Sequence, residues 1–260
     1  MAEPFRILAL GDVSRLSSCV YLKNHLRAFQ KAHGVSLTVV NGENSAAQNG
    51  IDAESAEMLF SAGADVITTG NHAFKRYEAK ALFENNPRIL RPANYPPEVP
   101  GDGAALIDAD GMRILVLNLL GVVEMEPLEN PFFAARRLLK RYEGEYDLSV
   151  LDFHAEATSE KQALSFALDG ALTLFFGTHT HVMTADEQIL PRGTAYITDV
   201  GMCGPQNSVL GIEPSCIIEK MTTGLPVKFL PSQAPVTAHG VLVEVDRETK
   251  KARSIERVTF

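Results

Sequence analysis

The sequence is poor in cysteine: Cys19, Cys203 and Cys216 are the only three in 260 residues. An odd number without CxxC spacing argues against a disulfide framework. Small buried thiols in a reducing cytoplasm are expected instead. Long apolar runs are also missing. No stretch approaches the roughly 18–20 residues of a membrane span, so no membrane partner is expected. The segment Met1-Ala2-Glu3-Pro4-Phe5 lacks a basic region followed by an apolar one, so no secretory signal is expected. Positive charge is in deficit. Lys and Arg number 24 against 32 Asp and Glu, a net charge of −8. This disfavours non-specific binding to nucleic-acid backbone and leaves room only for a local basic pocket. Repeats, low-complexity tracts and linkers are absent, so residues 1–260 read as a single domain. At 45% hydrophobic and 22% charged residues, the chain is neither disordered, collagen-like nor a coiled coil. A chain of this length buries roughly three quarters of the surface it exposes unfolded, so no disulfide or structural metal is needed for a core.

Short apolar runs alternate with helical stretches. Residues 5–10 form a run that breaks at Gly11-Asp12, and a helix is expected from there to about residue 31, where Tyr21, Leu22, Leu26 and Phe29 fall near helical spacing. Strands are expected at residues 36–40 and 65–69, with a helix over 53–61 between them. Further strands are expected at 113–120, 148–153, 172–176 and 194–198, and closing strands at 236–245 and 252–260. Residues 91–97 must be irregular, because prolines at 92, 96 and 97 lack amide donors and bias their predecessors away from helix. The alternation predicts an α/β fold with right-handed crossovers.

The apolar runs end in polar residues of metal-ligand type. Asp12 follows the first run, Glu43 and Asn44 the second, and Asn71 and His72 the third. His154 closes Val150-Leu151-Asp152-Phe153, and His179 and His181 follow Leu174-Phe175-Phe176-Gly177-Thr178. In an open α/β sheet the carboxyl ends of strands line one crevice, where residues distant in sequence converge. Gly11, Gly42, Gly70 and Gly177 stand at these strand ends, where turns or close backbone approach are expected. A single Asp after a strand is commonly a helix cap or turn residue, and a single His commonly a surface or core residue. His25, His33 and His239 lack the strand-end context and are assigned to that ordinary role. The other residues gain weight from their order and number. Asp12, Glu43, Asn44, Asn71, His154, His179 and His181 make seven candidate ligands, with His72 an eighth polar group. Seven exceed what one ion with an open position can use. Two ions sharing a carboxylate can use them, and such pairs clamp the attacking and leaving oxygens of phosphoryl transfer. A kinked loop is expected to bring both imidazoles of His179-Thr180-His181 to the metals.

Gly11-Asp12, Gly42-Glu43-Asn44, Gly70-Asn71-His72 and Gly177-Thr178-His179-Thr180-His181 resemble the blocks of the calcineurin-like metallophosphoesterases. The YmdB-like bacterial branch is the nearer likeness. It shows in residues 40–44, 91–96, 152–161, 177–186 and 193–202, and the resemblance extends over nearly the whole chain. It implies a four-layer α/β/β/α sandwich and a di-metal phosphodiesterase active on 2′,3′-cyclic nucleotides. It also implies that Asp12, Glu43, Asn44 and His181 hold one metal and that Glu43, Asn71, His154 and His179 hold the other, with Glu43 bridging. His72 would be the proton donor. Ser14 departs from the wider Asp-x-His pattern, and Asn44 is expected to fill the vacated coordination position. The segment Ser14-Arg15-Leu16-Ser17-Ser18 stands where the branch often carries glycine. That departure bears on substrate contacts at this rim and not on the metals. Cys203 stands where threonine is common and reads as a tolerated small residue.

The implied cofactors are two divalent or mixed-valence ions. Nitrogen and oxygen donors without thiolate suit iron or manganese, and also zinc. The ions would activate water near neutral pH for in-line attack on phosphorus, and His72 would protonate the departing ribose oxygen. The expected partner is a small phosphodiester or cyclic nucleotide, with RNA and a homo-oligomer left open. The rival reading is a metal-containing regulatory or RNA-end-binding protein with little catalysis.

Overall fold

The computed structural model describes residues 3–260. Met1 and Ala2, part of the N-terminal segment read above for a leader, lie outside the described residues. The first half of the chain runs β1 (Phe5–Leu10), β2 (Asp12–Val13), α1 (Arg15–His33), β3 (Leu37–Asn41), α2 (Ala53–Ala62), β4 (Val66–Thr68), α3 (Ala79–Asn85), β5 (Ile89–Leu90), β6 (Ala104–Ala109) and β7 (Met112–Leu120). The second half runs α4 (Pro131–Arg141), β8 (Leu148–His154), α5 (Thr158–Leu168), β9 (Leu174–Thr178), β10 (Gln188–Ile189), β11 (Ala195–Ile197), β12 (Met202–Pro205), α6 (Pro214–Thr223), β13 (Val236–Thr237), β14 (His239–Val245) and β15 (Ala252–Thr259).

Two six-stranded sheets carry the fold. One has the order β15-β14-β1-β3-β4-β5 and the other β10-β11-β9-β8-β7-β6. β1, β3, β4 and β5 are parallel, as are β11, β9, β8 and β7. The strands are apolar on both faces because both faces are covered. In β1, Ile7 and Ala9 meet Ile114, Val116, Val150 and Phe176 of the second sheet, while Leu8 and Leu10 meet Leu22 and Leu26 of α1 and Leu59 of α2. The outer face of the second sheet, through Leu117, Leu151 and Phe175, packs on Leu138 of α4 and Leu164 and Leu168 of α5. The layers are therefore helix, sheet, sheet, helix, as the resemblance implied.

Residues 91–97 are irregular, as expected. The expected strand at 236–245 breaks at Ala238. Val236–Thr237 joins a small third sheet, β13-β12-β2, while His239 onward joins the first. Ala238 exchanges both backbone hydrogen bonds with Phe260 at the crossing point. Cys19, Cys203 and Cys216 are free and buried, as expected. No described helix is long and apolar enough to cross a membrane.

Candidate metal centre

The parallel strands deliver the ligand-type residues to one edge of the two sheets. Asp12 begins β2, just past β1. Glu43 and Asn44 follow β3, Asn71 and His72 follow β4, His154 ends β8, and His179 and His181 follow β9. The structure brings all eight together. His25 and His33 lie elsewhere on α1, stacked on Tyr21 and Phe29.

One subset closes around a point. His154 Nε2 lies 3.0 Å from Asn71 Oδ1, 3.0 Å from His179 Nδ1 and 3.3 Å from Glu43 Oε2. Ligands about 2.1 Å from a single ion lie roughly 3 Å apart when they meet at right angles. Among the described residues, Glu43, His154 and His179 form the one cluster of three carboxylate or imidazole groups with ligand atoms within 4.8 Å of each other. Gly70 makes room for it, since a Cβ there would overlap His154 and the Glu43 carboxylate.

A second subset lies beside the first. Asp12 Oδ1 is fully buried without a hydrogen-bond partner, 3.9 Å from His181 Nε2. Its other oxygen accepts from the His179 amide at 3.0 Å. An unpaired buried carboxylate oxygen is costly, and a cation would satisfy it. Asn44 Nδ2 lies 3.0 Å from Glu43 Oε1 and 3.4 Å from His181 Nε2. Asn44 Oδ1 lies 2.9 Å from His72 Nδ1. The amide nitrogen thus faces the candidate ligands, and a half-turn of the terminal amide would present its oxygen instead. The oxygen and imidazole donors of both subsets fit divalent cations.

Electrostatics point the same way. Burial pulls His154 down, but Glu43, Asp12 and Asp152 outweigh it and push the imidazole up to about 9. Burial and the neighbouring His154 draw His179 down to about 4. Burial would raise Glu43, yet His154 and His72 hold it well below the usual carboxylate range. Burial raises Asp12 against the pull of His181 and His154. The carboxylates thus draw positive charge to a place where a metal can supply it.

Residues without an assigned role in the sequence reading hold the candidate ligands in place. Thr178 Oγ1 donates to Asp152 Oδ1 at 2.7 Å and accepts from His154 Nδ1 at 2.9 Å, which leaves His154 Nε2 free to coordinate. Asp152 also accepts from Asn41, at 2.9 Å, and from Thr68. Its sequence signal is a carboxylate in the middle of an apolar strand. His179 Nε2 lies 2.9 Å from Glu156 Oε2, so His179 is oriented to present Nδ1. The 179–181 loop is kinked as expected, with φ of 100° at His179 and 63° at His181. Asp199 Oδ2 accepts from Thr180 N at 3.1 Å and from Lys161 Nζ at 2.8 Å, which fixes the loop.

A cavity of about 500 Å³ opens over the cluster. Glu43, Asn44, His72, His179 and His181 line it, together with apolar Leu210, Ile212 and Phe229. Clefts of about 610 and 580 Å³ elsewhere are lined by residues such as Lys140 and Arg192, or Arg6 and Glu244, away from the ligand cluster. Volume alone therefore does not locate the chemistry.

The YmdB-like protein family matches residues 8–258. A Bacillus subtilis protein named 2′,3′-cyclic-nucleotide 2′-phosphodiesterase is 41% identical over 253 residues, 97% of this chain and 96% of that protein. A crystal structure of a Thermus thermophilus protein superposes with a TM-score of 0.91 at 37% identity, covering 98% of this chain and 99% of that one. The crystal structure of a phosphatase from Mycoplasma pneumoniae gives a TM-score of 0.92 at 35% identity, covering 100% and 94%.

Proposed function

This chain belongs to the YmdB-like family, and from that premise we propose that it is a metal-dependent phosphoric diester hydrolase acting on 2′,3′-cyclic nucleotides. The observation that carries the reading is the convergence of Glu43, Asn71, His154 and His179 beside the unpaired carboxylate oxygen of Asp12. The chain would act as one domain in the cytoplasm. The Bacillus protein's name supports the substrate class.

Glu43, Asn71, His154 and His179 would hold one ion, and Asp12, Glu43, Asn44 and His181 the other. The two carboxylate oxygens of Glu43 face different subsets, which suits a bridge. The donor set suits iron, manganese or zinc. Bound ions supply a water that deprotonates near neutral pH and charge that offsets the phosphate.

His72 is the proton donor in this reading. The Asn44 side-chain oxygen engages His72 Nδ1 at 2.9 Å. The imidazolium form donates from both ring nitrogens. Nε2 makes no hydrogen bond among the described residues, and His72 lines the cavity. From Nε2 the imidazolium would protonate a departing ribose oxygen and leave a neutral imidazole. Leu210, Ile212 and Phe229 offer apolar surface to the base.

The test is metal content of the purified protein, with hydrolysis of each 2′,3′-cyclic mononucleotide before and after chelation. Chelator-sensitive hydrolysis restored by metal is expected. A metal-loaded protein that hydrolyses none of them would favour the regulatory reading, and protein without metal after anaerobic purification would overturn the site.

A further inference from the structure

Among the described residues, Arg15 is the only Lys or Arg lining the cavity over the candidate metal centre. It is the first residue of α1 and has φ of 69°, a left-handed conformation that favours glycine. Five of the nine described non-glycine residues with such φ line this one cavity: Arg15, Asn49, His179, His181 and Leu210. Strain of this kind persists where surrounding structure enforces it, and it gathers at functional sites. The Arg15 amide donates to the Asn44 carbonyl at 2.8 Å, so the strained residue is tied to the metal-site loop. Its guanidinium donates from Nη1 to the Ala47 carbonyl at 3.0 Å and makes no ion pair among the described residues. That contact leaves donors of the planar fork free.

Ser14 supplies an independent sign of a ligand. It is 6% exposed, lines the same cavity, and its hydroxyl makes no hydrogen bond among the described residues. It stands at the N-cap of the 19-residue α1 without the usual side-chain cap bond, and the first turn holds no acidic residue. A cavity-lining hydroxyl of a buried serine, a helix N-terminus and a guanidinium without an ion pair together form an anion site.

We propose that Ser14 and Arg15 bind a second phosphate of the substrate, beyond the one cleaved at the metals. The ligand class is a nucleotide with its reacting phosphate on the 2′,3′ side and another on the 5′ side. That second phosphate is either a terminal 5′-phosphate or the internucleotide phosphate of an RNA 3′ end. The inference rests on the cyclic-nucleotide reading above, but its test does not require turnover.

The probes are adenosine 3′-phosphate, adenosine 3′,5′-bisphosphate and the dinucleotide ApA 3′-phosphate, titrated calorimetrically into metal-loaded wild type and Arg15→Gly. Glycine is the residue this φ prefers, so the variant should fold with an unchanged or higher Tm. Wild type should bind at least one of the two-phosphate ligands about tenfold more tightly than adenosine 3′-phosphate, as expected for one charge-assisted contact. Arg15→Gly should erase that advantage and leave adenosine 3′-phosphate binding within twofold. The favoured two-phosphate ligand identifies the source of the second phosphate. Equal binding of all three by wild type would overturn the proposal, as would an advantage that survives in Arg15→Gly. A parallel loss for all three ligands would place Arg15 on the reacting phosphate and also overturn it. If the advantage depends on Arg15 but wild type cleaves no cyclic nucleotide, the cyclic-nucleotide reading fails and the subsite stands.

Discussion

Lys161 Nζ lies 2.8 Å from Asp199 Oδ2, and both side chains are fully buried. The lysine also donates to the Thr178 carbonyl at 2.9 Å, and Asp199 also accepts from the amides of Thr180 and Gly201. The pair therefore holds the strand end and loop that carry His179 and His181. Lys161→Met leaves a buried carboxylate without its cation and should cost about 3–5 kcal/mol in stability. The double variant Lys161→Met/Asp199→Leu should recover only part of this, because it still strands two amides. Its metal affinity should remain weakened. Denaturant unfolding and metal titration check both, and full recovery of metal affinity in the double variant would show that the pair does not position the loop.

Glu43 is expected to bridge the ions. Glu43→Gln keeps the size of the side chain but removes charge that offsets two cations. Loss of at least one ion and of most activity should follow, with elemental analysis as the check. Full occupancy with normal turnover would exclude the bridge.

Asn44 is expected to supply a neutral amide in place of the imidazole that Ser14 does not provide. Asn44→Ala should weaken the ion beside Asp12 and His181 more than the one beside His154 and His179. Stepwise metal titration distinguishes the two sites. Equal weakening of both, or of neither, would contradict the pairing.

The eight candidate residues were legible because each follows or ends an apolar strand, and parallel topology carries those ends to one edge. The central strands of both sheets and α1 and α2 were legible from apolar spacing, whereas the edge strands β5, β6 and β10 were not, and the four-layer arrangement was implied only by the resemblance. Lys161 and Asp199 were not legible as a pair, since 38 residues separate them and only the packing of α5 on the second sheet joins them. Asp152 could be noticed as a carboxylate in an apolar strand, but its partners Thr68, Asn41 and Thr178 come from three other strands. Helix α4 carried a start signal in Asn130-Pro131, where Asn130 accepts from the Phe132 amide. The break at Ala238 depends on pairing with Phe260, which no local pattern encodes.

Burial pushes the thiols of Cys19 and Cys203 up to about 12. Their thiolate fraction is negligible at pH 8, and the thiolate is the reactive form. Iodoacetamide at pH 8 should leave both unlabelled in the native protein and label both after unfolding, as read by peptide mass spectrometry. Native labelling of Cys203 would show that β12 opens.

His72 is expected to move a proton and not to bind metal. Its ring is held by Asn44 at 2.9 Å and lies 3.3 Å from Glu43 Oε1, while its exposed edge lines the cavity. The proposed ligand sets are complete without it, so His72→Ala should retain both ions. The need for a general acid grows with the basicity of the leaving group. A ribose alkoxide leaves poorly unless protonated, whereas p-nitrophenolate leaves well unaided. Cyclic-nucleotide hydrolysis should therefore slow by roughly 10²–10⁴-fold, and bis-p-nitrophenyl phosphate hydrolysis much less. The check is kcat/KM for both substrates with metal content measured on the same preparation. An equal fall for both would mean that His72 stabilises phosphate charge, because charge stabilisation does not depend on which group leaves. A fall confined to the cyclic nucleotide, with both ions retained, would assign the proton to His72.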